Sequence, residues 1–531
     1  MTSETKFYFA RKSTGLIKQI SAFESVMLSV SFIGGYGLSF SYLVWGSLFQ
    51  GSNLVVSALI SVVIFLFFGM TYTMLSMSMP RSGGEYVFLS RILGPFPGFV
   101  GSFWFFFLLS TWLGSAPAWL MSDGIRPLLW VLAQSTGNEG LTAVSSLLST
   151  KEAIVAVSIV VIVVIALISL QSTRVLMRIV WVLFFTGLVG LLAYFGLALT
   201  RGGANFVANF DSYSGTTVAN VIKAANEAGF QTSGFSSYGT IMGIIYTGLS
   251  FTGFQYVVYV AGEVKESQKS ILYATFGGLL IFATVAILTY QISYQAFGIE
   301  VIRSLSYLFA TGNSAYPLSY GPYPQVLVVF LTKNPFLVLL VFWNWIATIF
   351  MPMLTGFVAC QRGLFAWAFD RILPDKVSAV DSRKGTPYVA ALATAVIAVM
   401  SMFLYVYTPL FQYFTYLTVA WMIVYIFVGL AAFLLPYRRK DIFDVSPPWT
   451  RRRIGNVPLV SVFGIVSMVL AFALGVISLL PAYTGAPINP LYISLIPAVF
   501  TMAIAIYGIS YFANKSRGIN LSMIFREIPP E

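Results

Sequence analysis

Histidine is absent from this chain of 531 residues, cysteine occurs once, and Asp, Glu, Lys and Arg together make up only 9%. The lack of histidine removes the usual haem and copper ligand and the commonest proton-shuttling side chain. A single cysteine, Cys360, excludes an intrachain disulfide. Membrane redox enzymes are thereby set aside, and no cofactor or metal is expected. An enzyme of another kind needs a nucleophile, metal or cofactor cluster in a cleft, whereas Cys360 beside Arg362 at a helix end reads as packing. The scarcity of charge is equally telling, because a soluble domain carries roughly 25% charged residues. With 58% hydrophobic residues and a mean hydropathy of +0.84, the chain reads as an all-α polytopic membrane protein.

Apolar stretches of about 20 residues, each long enough to span a bilayer, recur about twelve times. The first is preceded by polar and basic residues and holds no evident small-residue cleavage site, so it reads as a retained helix. Basic residues sort by side. Of the 30 Lys and Arg, 24 fall on the side of both termini and 6 on the other, while the 18 acidic residues divide 12 and 6. The excess on the first side is therefore 24 − 12 = +12, which equals the whole formal charge. Because short cytoplasmic loops collect Lys and Arg, both termini are expected in the cytoplasm and the protein in the cell membrane. The charge then requires no nucleic acid. Arg438 to Lys440 and Arg451 to Arg453 either set this topology or touch anionic membrane lipid.

Two apolar segments are interrupted. The first carries Ser31-Phe32-Ile33-Gly34-Gly35-Tyr36-Gly37, and the sixth carries Gly248-Leu249-Ser250-Phe251-Thr252-Gly253. Each glycine costs a helix roughly 1 kcal/mol, so both segments are expected to unwind near mid-depth. Unwound backbone in hydrocarbon must face protein, a water-filled cavity or a solute. A glycine face for close helix packing is the alternative. Five helices apart, the two segments cross in opposite directions, the arrangement of broken helices in an inverted-repeat transporter. Broken ends offer free N–H groups to an anion and free C=O groups to a cation. No charged residue lies at the middle of any segment: Glu24 is near the inner end of the first, and Asp123 with Arg126 near the outer end of the third.

Three further stretches carry a family resemblance. Pro80-Arg81-Ser82-Gly83-Gly84-Glu85-Tyr86 resembles the Pro-x-Ser-Gly-Gly-x-Tyr loop of the amino acid, polyamine and organocation transporter superfamily. Phe251-Thr252-Gly253-Phe254-Gln255 is similar to its aromatic-x-Gly-Phe-Glu motif. Gln361-Arg362, then Leu373-Pro374 and Thr386-Pro387, match its later positions in order. The resemblance implies an amino acid permease with a 5+5 inverted repeat, broken helices 1 and 6, and two C-terminal helices. It implies cytoplasmic segments 1–19 and 514–531, repeats over 20–200 and 241–436, an outer loop at 201–240, a basic loop at 437–458 and added helices within 459–513. The expected function is secondary transport or exchange of an amino acid or related amine by alternating access. The alternatives are a carrier of another small organic solute and a transporter-like sensor.

By the same resemblance, substrate binding falls on Gly34, Gly35, Tyr36 and Gly37 and on Leu249, Ser250, Phe251, Thr252 and Gly253. Tyr36 stands where the family usually has Ser or Ala, and Leu249 where an aromatic gate is common, so Phe251 is expected to serve as the occluding ring. Relatives that carry a built-in cation place a lysine on the fifth helix, and Val175 to Leu199 holds none. Oxygens of Ser31, Gly34 and Thr355 are the candidates for a sodium ion, with back-bonding to its own helix the alternative for the Thr355 hydroxyl; Glu24 and Glu85 are the candidates for a coupling proton, with capping at the inner interface the alternative for Glu24. Either a monomer or a homodimer is compatible with the sequence.

Overall fold

The computed structural model describes residues 18–34, 36–381, 383–409, 414–480, 490–519, 521 and 525. Among these, eleven helices are long and apolar enough to cross a membrane: Ala22–Gly46, Leu54–Ser78, Pro95–Thr136, Lys151–Ser169, Thr173–Arg201, Ser267–Phe297, Pro335–Phe369, Tyr388–Tyr407, Thr418–Arg438, Leu459–Ser478 and Ser494–Ser516. The sixth apolar segment escapes that count because it is split into Ser237–Leu249 and Tyr256–Tyr259. Its two halves together form the sixth helix of the bundle. Strand pairing among the described residues is limited to a small hairpin, Arg453–Ile454 with Val457–Pro458, and one bridge between Ile20 and Val264.

Local chemistry starts these helices where the apolar runs begin. The Asn53 side chain accepts from the amides of Val55 and Val56, and Asn334 from that of Phe336 with Pro335 in the first turn. Each such cap satisfies N–H groups that a helix start would otherwise strand. The long helices then divide by burial. The fourth keeps Val160, Val163 and Leu167 exposed, an apolar outer face suited to lipid. The eighth, by contrast, is buried along most of its length from Val338 to Ala368. Packing partners exchange when each helix is replaced by the one five later: first on seventh and sixth on second, fifth on eighth and tenth on third.

The stretch 201–240, expected as an outer loop, carries short helices of its own. Residues 201–240 contain helices Ala204–Tyr213 and Val218–Glu227, and Ile299–Ala310 is helical as well. Phe206 with Phe210, and Val221 with Ala225, are buried pairs at four-residue spacing, a short helical stripe hidden among Gly, Ser and Asn. Buried Arg303 fastens the region by donating to the carbonyls of Thr232 (2.8 Å), Gly234 (3.0 Å) and Ser52 (2.7 Å).

Candidate solute site

The first helix unwinds where its glycines predict. Helix Ala22–Ile33 ends at Gly34 in the left-handed region (φ 110°), where a β-carbon would lie 2.1 Å from Leu38 Cδ1, and Leu38–Gly46 begins the second half. Gly35 lies outside the described residues. In the sixth helix the turn runs from Ser250 to Gln255, with Gly253 also left-handed (φ 102°). A β-carbon on Gly253 would come within 2.4 Å of the Phe32 ring and 2.8 Å of the Phe32 carbonyl oxygen. The two breaks therefore touch. Only glycine permits both the backbone turn and the approach.

A cavity of about 60 Å³ lies at this meeting point. Phe32, Ile33, Leu38 and Tyr42 line it from the first helix, and Leu249 and Thr252 from the sixth. Leu108, Leu109, Trp112 and Trp119 of the third helix, Pro352 of the eighth and Trp421 of the tenth complete the wall. No charged side chain contributes. Such a wall takes an apolar or aromatic body, and its ring faces also suit an ammonium.

Several predicted site residues point elsewhere. Tyr36 is buried edge-on to Phe184 (5.2 Å between ring centres) and lies against Gly187, so the bulk that stands in place of Ser or Ala is lodged on the fifth helix. Phe251 packs on Phe65 and Phe282, not on the cavity, so the expected occluding ring is not among the wall residues. Turning by roughly 100° per residue, a helix end that presents Leu249 and Thr252 aims Phe251 away. The Ser250 hydroxyl bonds back to the Tyr246 carbonyl (3.1 Å) and that of Thr252 to the Leu249 carbonyl (2.7 Å).

Thr348, which the sequence reading missed, accepts from both amides of the first break: Gly37 N–H at 2.7 Å and Tyr36 N–H at 3.2 Å. Of the ion-site candidates, Thr355 donates to the Met351 carbonyl (2.9 Å), the usual fate of a helical threonine. The Ser31 hydroxyl is buried with no partner among the described residues. Three tryptophans were also missed. Their signal was position, since tryptophan favours membrane interfaces and Trp112, Trp119 and Trp421 sit inside spans, the first two on one helix face at seven-residue spacing.

Broken first and sixth helices that meet at a cavity, on a bundle of many spans, are matched by comparison with known families: residues 20–512 fit the model described as amino acid permease. The chain belongs to that family. It is a multi-pass membrane protein of a transporter family whose cargo is amino acids or related compounds. No curated protein sequence matches it.

Two ion pairs of the permease lie away from the cavity, at the end of the bundle where the third helix begins. Arg91 and Asp370 form a two-bonded pair (2.6 and 3.0 Å), and Arg362 pairs with Glu263 (2.7 Å), whose other oxygen accepts from Thr173 (3.0 Å). All four charges are buried. Backbone bonds from Gln19 and Ile20 to the Glu263 carbonyl, and from Gly83 to that of Tyr259, stitch the same end together.

Glu85 is different. It begins helix Glu85–Ile92, between the second and third spans, and is fully buried. Its Oε1 accepts from the Tyr72 hydroxyl at 2.8 Å and its Oε2 from the Tyr259 hydroxyl. Among the described residues no Lys or Arg forms an ion pair with it. Loss of hydration outweighs the two hydroxyl donors, and the carboxyl is pushed up to about 7. Glu24, the other proton candidate, closes a capping box: its carboxylate accepts from the Ser21 amide (2.8 Å), and the Ser21 hydroxyl from the Glu24 amide (3.3 Å).

Proposed function

We propose that this permease is a secondary transporter or exchanger of the cell membrane, with cytoplasmic termini, that carries a small amino compound with an apolar body. The cavity between the breaks opens alternately to either side, and Glu85 binds and releases the coupling proton. The observation that carries the reading is the meeting of two interrupted helices at an uncharged, tryptophan-walled cavity. Broken-helix ends bind polar groups of a solute without a buried charge, and the aromatic wall takes the rest.

Coupling through Glu85 is favoured over a sodium ion held by Ser31, Gly34 and Thr355. Glu85 is a buried acid able to change charge near neutral pH, whereas the Thr355 hydroxyl is already engaged with its own helix. A second reading draws on Thr348. Because its oxygen already accepts from the Tyr36 and Gly37 amides, a substrate without a carboxylate also fits, such as an amine or another small organic solute.

Uptake into proteoliposomes separates these readings. Apolar amino acids, their decarboxylated amines and neutral isosteres are presented with and without a pH gradient. Saturable uptake of amino acids supports the first reading, and uptake of amines alone the second. Saturable uptake of an unrelated class, with none for amino compounds, overturns the first reading and leaves the second, and no saturable uptake of any solute overturns both.

A further inference from the structure

The third helix passes the cavity at Trp112 and Trp119 and then loosens into a π-helical turn, Leu120–Ile125, before resuming as Arg126–Thr136. Such bulges are rare and frequently mark functional positions. This one carries Asp123, a half-buried carboxylate one turn beyond Trp119, about 6 Å further along the axis. It lies on the far side of the cavity from Glu85. Asp123 Oδ1 accepts from the Ser122 hydroxyl (2.8 Å), and the Tyr323 hydroxyl lies beside the carboxylate. Arg126 acts on the carboxylate through space without forming an ion pair: its Nε donates to the Ser145 carbonyl (3.2 Å) and its guanidinium lies 5.5 Å from the Tyr320 ring centre.

A second group at the same place lacks a partner. Gln325 is fully buried, and its Nε2 donates to the Asp123 carbonyl at 3.2 Å. That bond orients the amide, since the reverse orientation would set two oxygens against each other. Its Oε1 is then left without a donor among the described residues. A buried acceptor without a donor is uncommon and calls for an explanation. Here its amide is bonded to the backbone of Asp123, whose carboxylate has no salt-bridge partner among the described residues. Both are acceptors, and one ligand type answers both: a cation that brings N–H donors.

We propose that Asp123 and Gln325 form an ammonium-binding subsite at the mouth of the cavity, where a protonated amine halts before passing Trp119. The subsite rests on the reading of the cavity as the solute site. It narrows the cargo to compounds with a cationic nitrogen, and it makes Asp123 a specificity-determining residue. Tyr323 beside the carboxylate and Trp119 below supply ring faces on the route.

The test uses full-length purified protein with n-butylammonium and its neutral counterpart 1-butanol as probes, read by thermal stabilisation. Butylammonium is expected to stabilise the native chain in a saturable way, and butanol is not. Asp123→Asn, which keeps shape and loses charge, is expected to weaken butylammonium at least tenfold. Gln325→Leu, which removes the free acceptor, is expected to weaken it severalfold. No stabilisation by butylammonium, or equal affinity in native protein and both variants, overturns the subsite. If Asp123→Asn fails to fold, Gln325→Leu decides. Uptake measured in parallel keeps the two ideas apart. Saturable transport with unchanged amine affinity in the variants removes the subsite and leaves the transport reading, while butylammonium binding without any uptake does the reverse.

Discussion

Replacing Glu85 with Gln removes a buried acid while keeping its shape and its place between the Tyr72 and Tyr259 hydroxyls. Burial raises this carboxyl from 4.5 in its ordinary state to about 7 in the folded protein. Between those values the folded chain keeps a proton that the unfolded chain has released. Stability therefore falls as pH rises through that window and is level above it. At 1.36 kcal/mol per unit, the penalty at pH 8 is about 3 kcal/mol. Glu85→Gln is expected to abolish this slope, leaving the variant near native stability at pH 5 and more stable than native protein at pH 8. The assay is apparent thermal unfolding in detergent at both pH values at one heating rate, because membrane proteins of this size unfold irreversibly and apparent midpoints depend on scan rate. In proteoliposomes the same variant is expected to keep exchange and lose accumulation driven by a pH gradient. A variant with the native pH slope, or with intact pH-driven accumulation, would refute the assignment of the proton to Glu85. Glu24→Gln serves as the control, since a capping residue should change stability slightly and coupling not at all.

Thr348→Val strands the buried amides of Tyr36 and Gly37 and is expected to cost about 1–3 kcal/mol, with Thr348→Ser restoring most of it; denaturation midpoints of the three proteins check this. Gly253→Ala forces a β-carbon within 2.4 Å of Phe32 in a left-handed turn and is expected to abolish uptake or folded yield. Gly248→Ala, whose added carbon meets its nearest neighbour at 3.4 Å, should be tolerated, and equal uptake by the two variants would contradict the contact between the breaks. Arg362→Ala leaves Glu263 charged and buried without its partner, an expected loss of about 3–5 kcal/mol. The double change Arg362→Gln with Glu263→Gln should lose less than that single change, as read by thermal inactivation half-lives.

Much of the architecture was legible in the order of the residues because a membrane imposes it. Only helices satisfy their own backbone in hydrocarbon, so long apolar runs had to be helical. Glycines at Gly34 and Gly253 had to interrupt them, because the conformations found there, with φ of 110° and 102°, are ones other residues rarely adopt. Membership of the permease family was likewise carried by local motifs, which are contiguous in sequence. The short helices within 201–240 were not legible because their buried stripes, such as Phe206 with Phe210, are two residues long among polar neighbours. What only the folded chain decided is which side chain each break meets. Thr348 is 311 residues from the Gly37 amide that it accepts from, and nothing near Gly37 in the sequence announces it. The outward aim of Phe251, the lodging of Tyr36 on the fifth helix and the joining of Glu85 to Tyr259 are of the same kind. Each depends on how one helix is rotated against another. Helix rotation is set by the fit of many side chains from distant segments, so it emerges only when the whole bundle is packed.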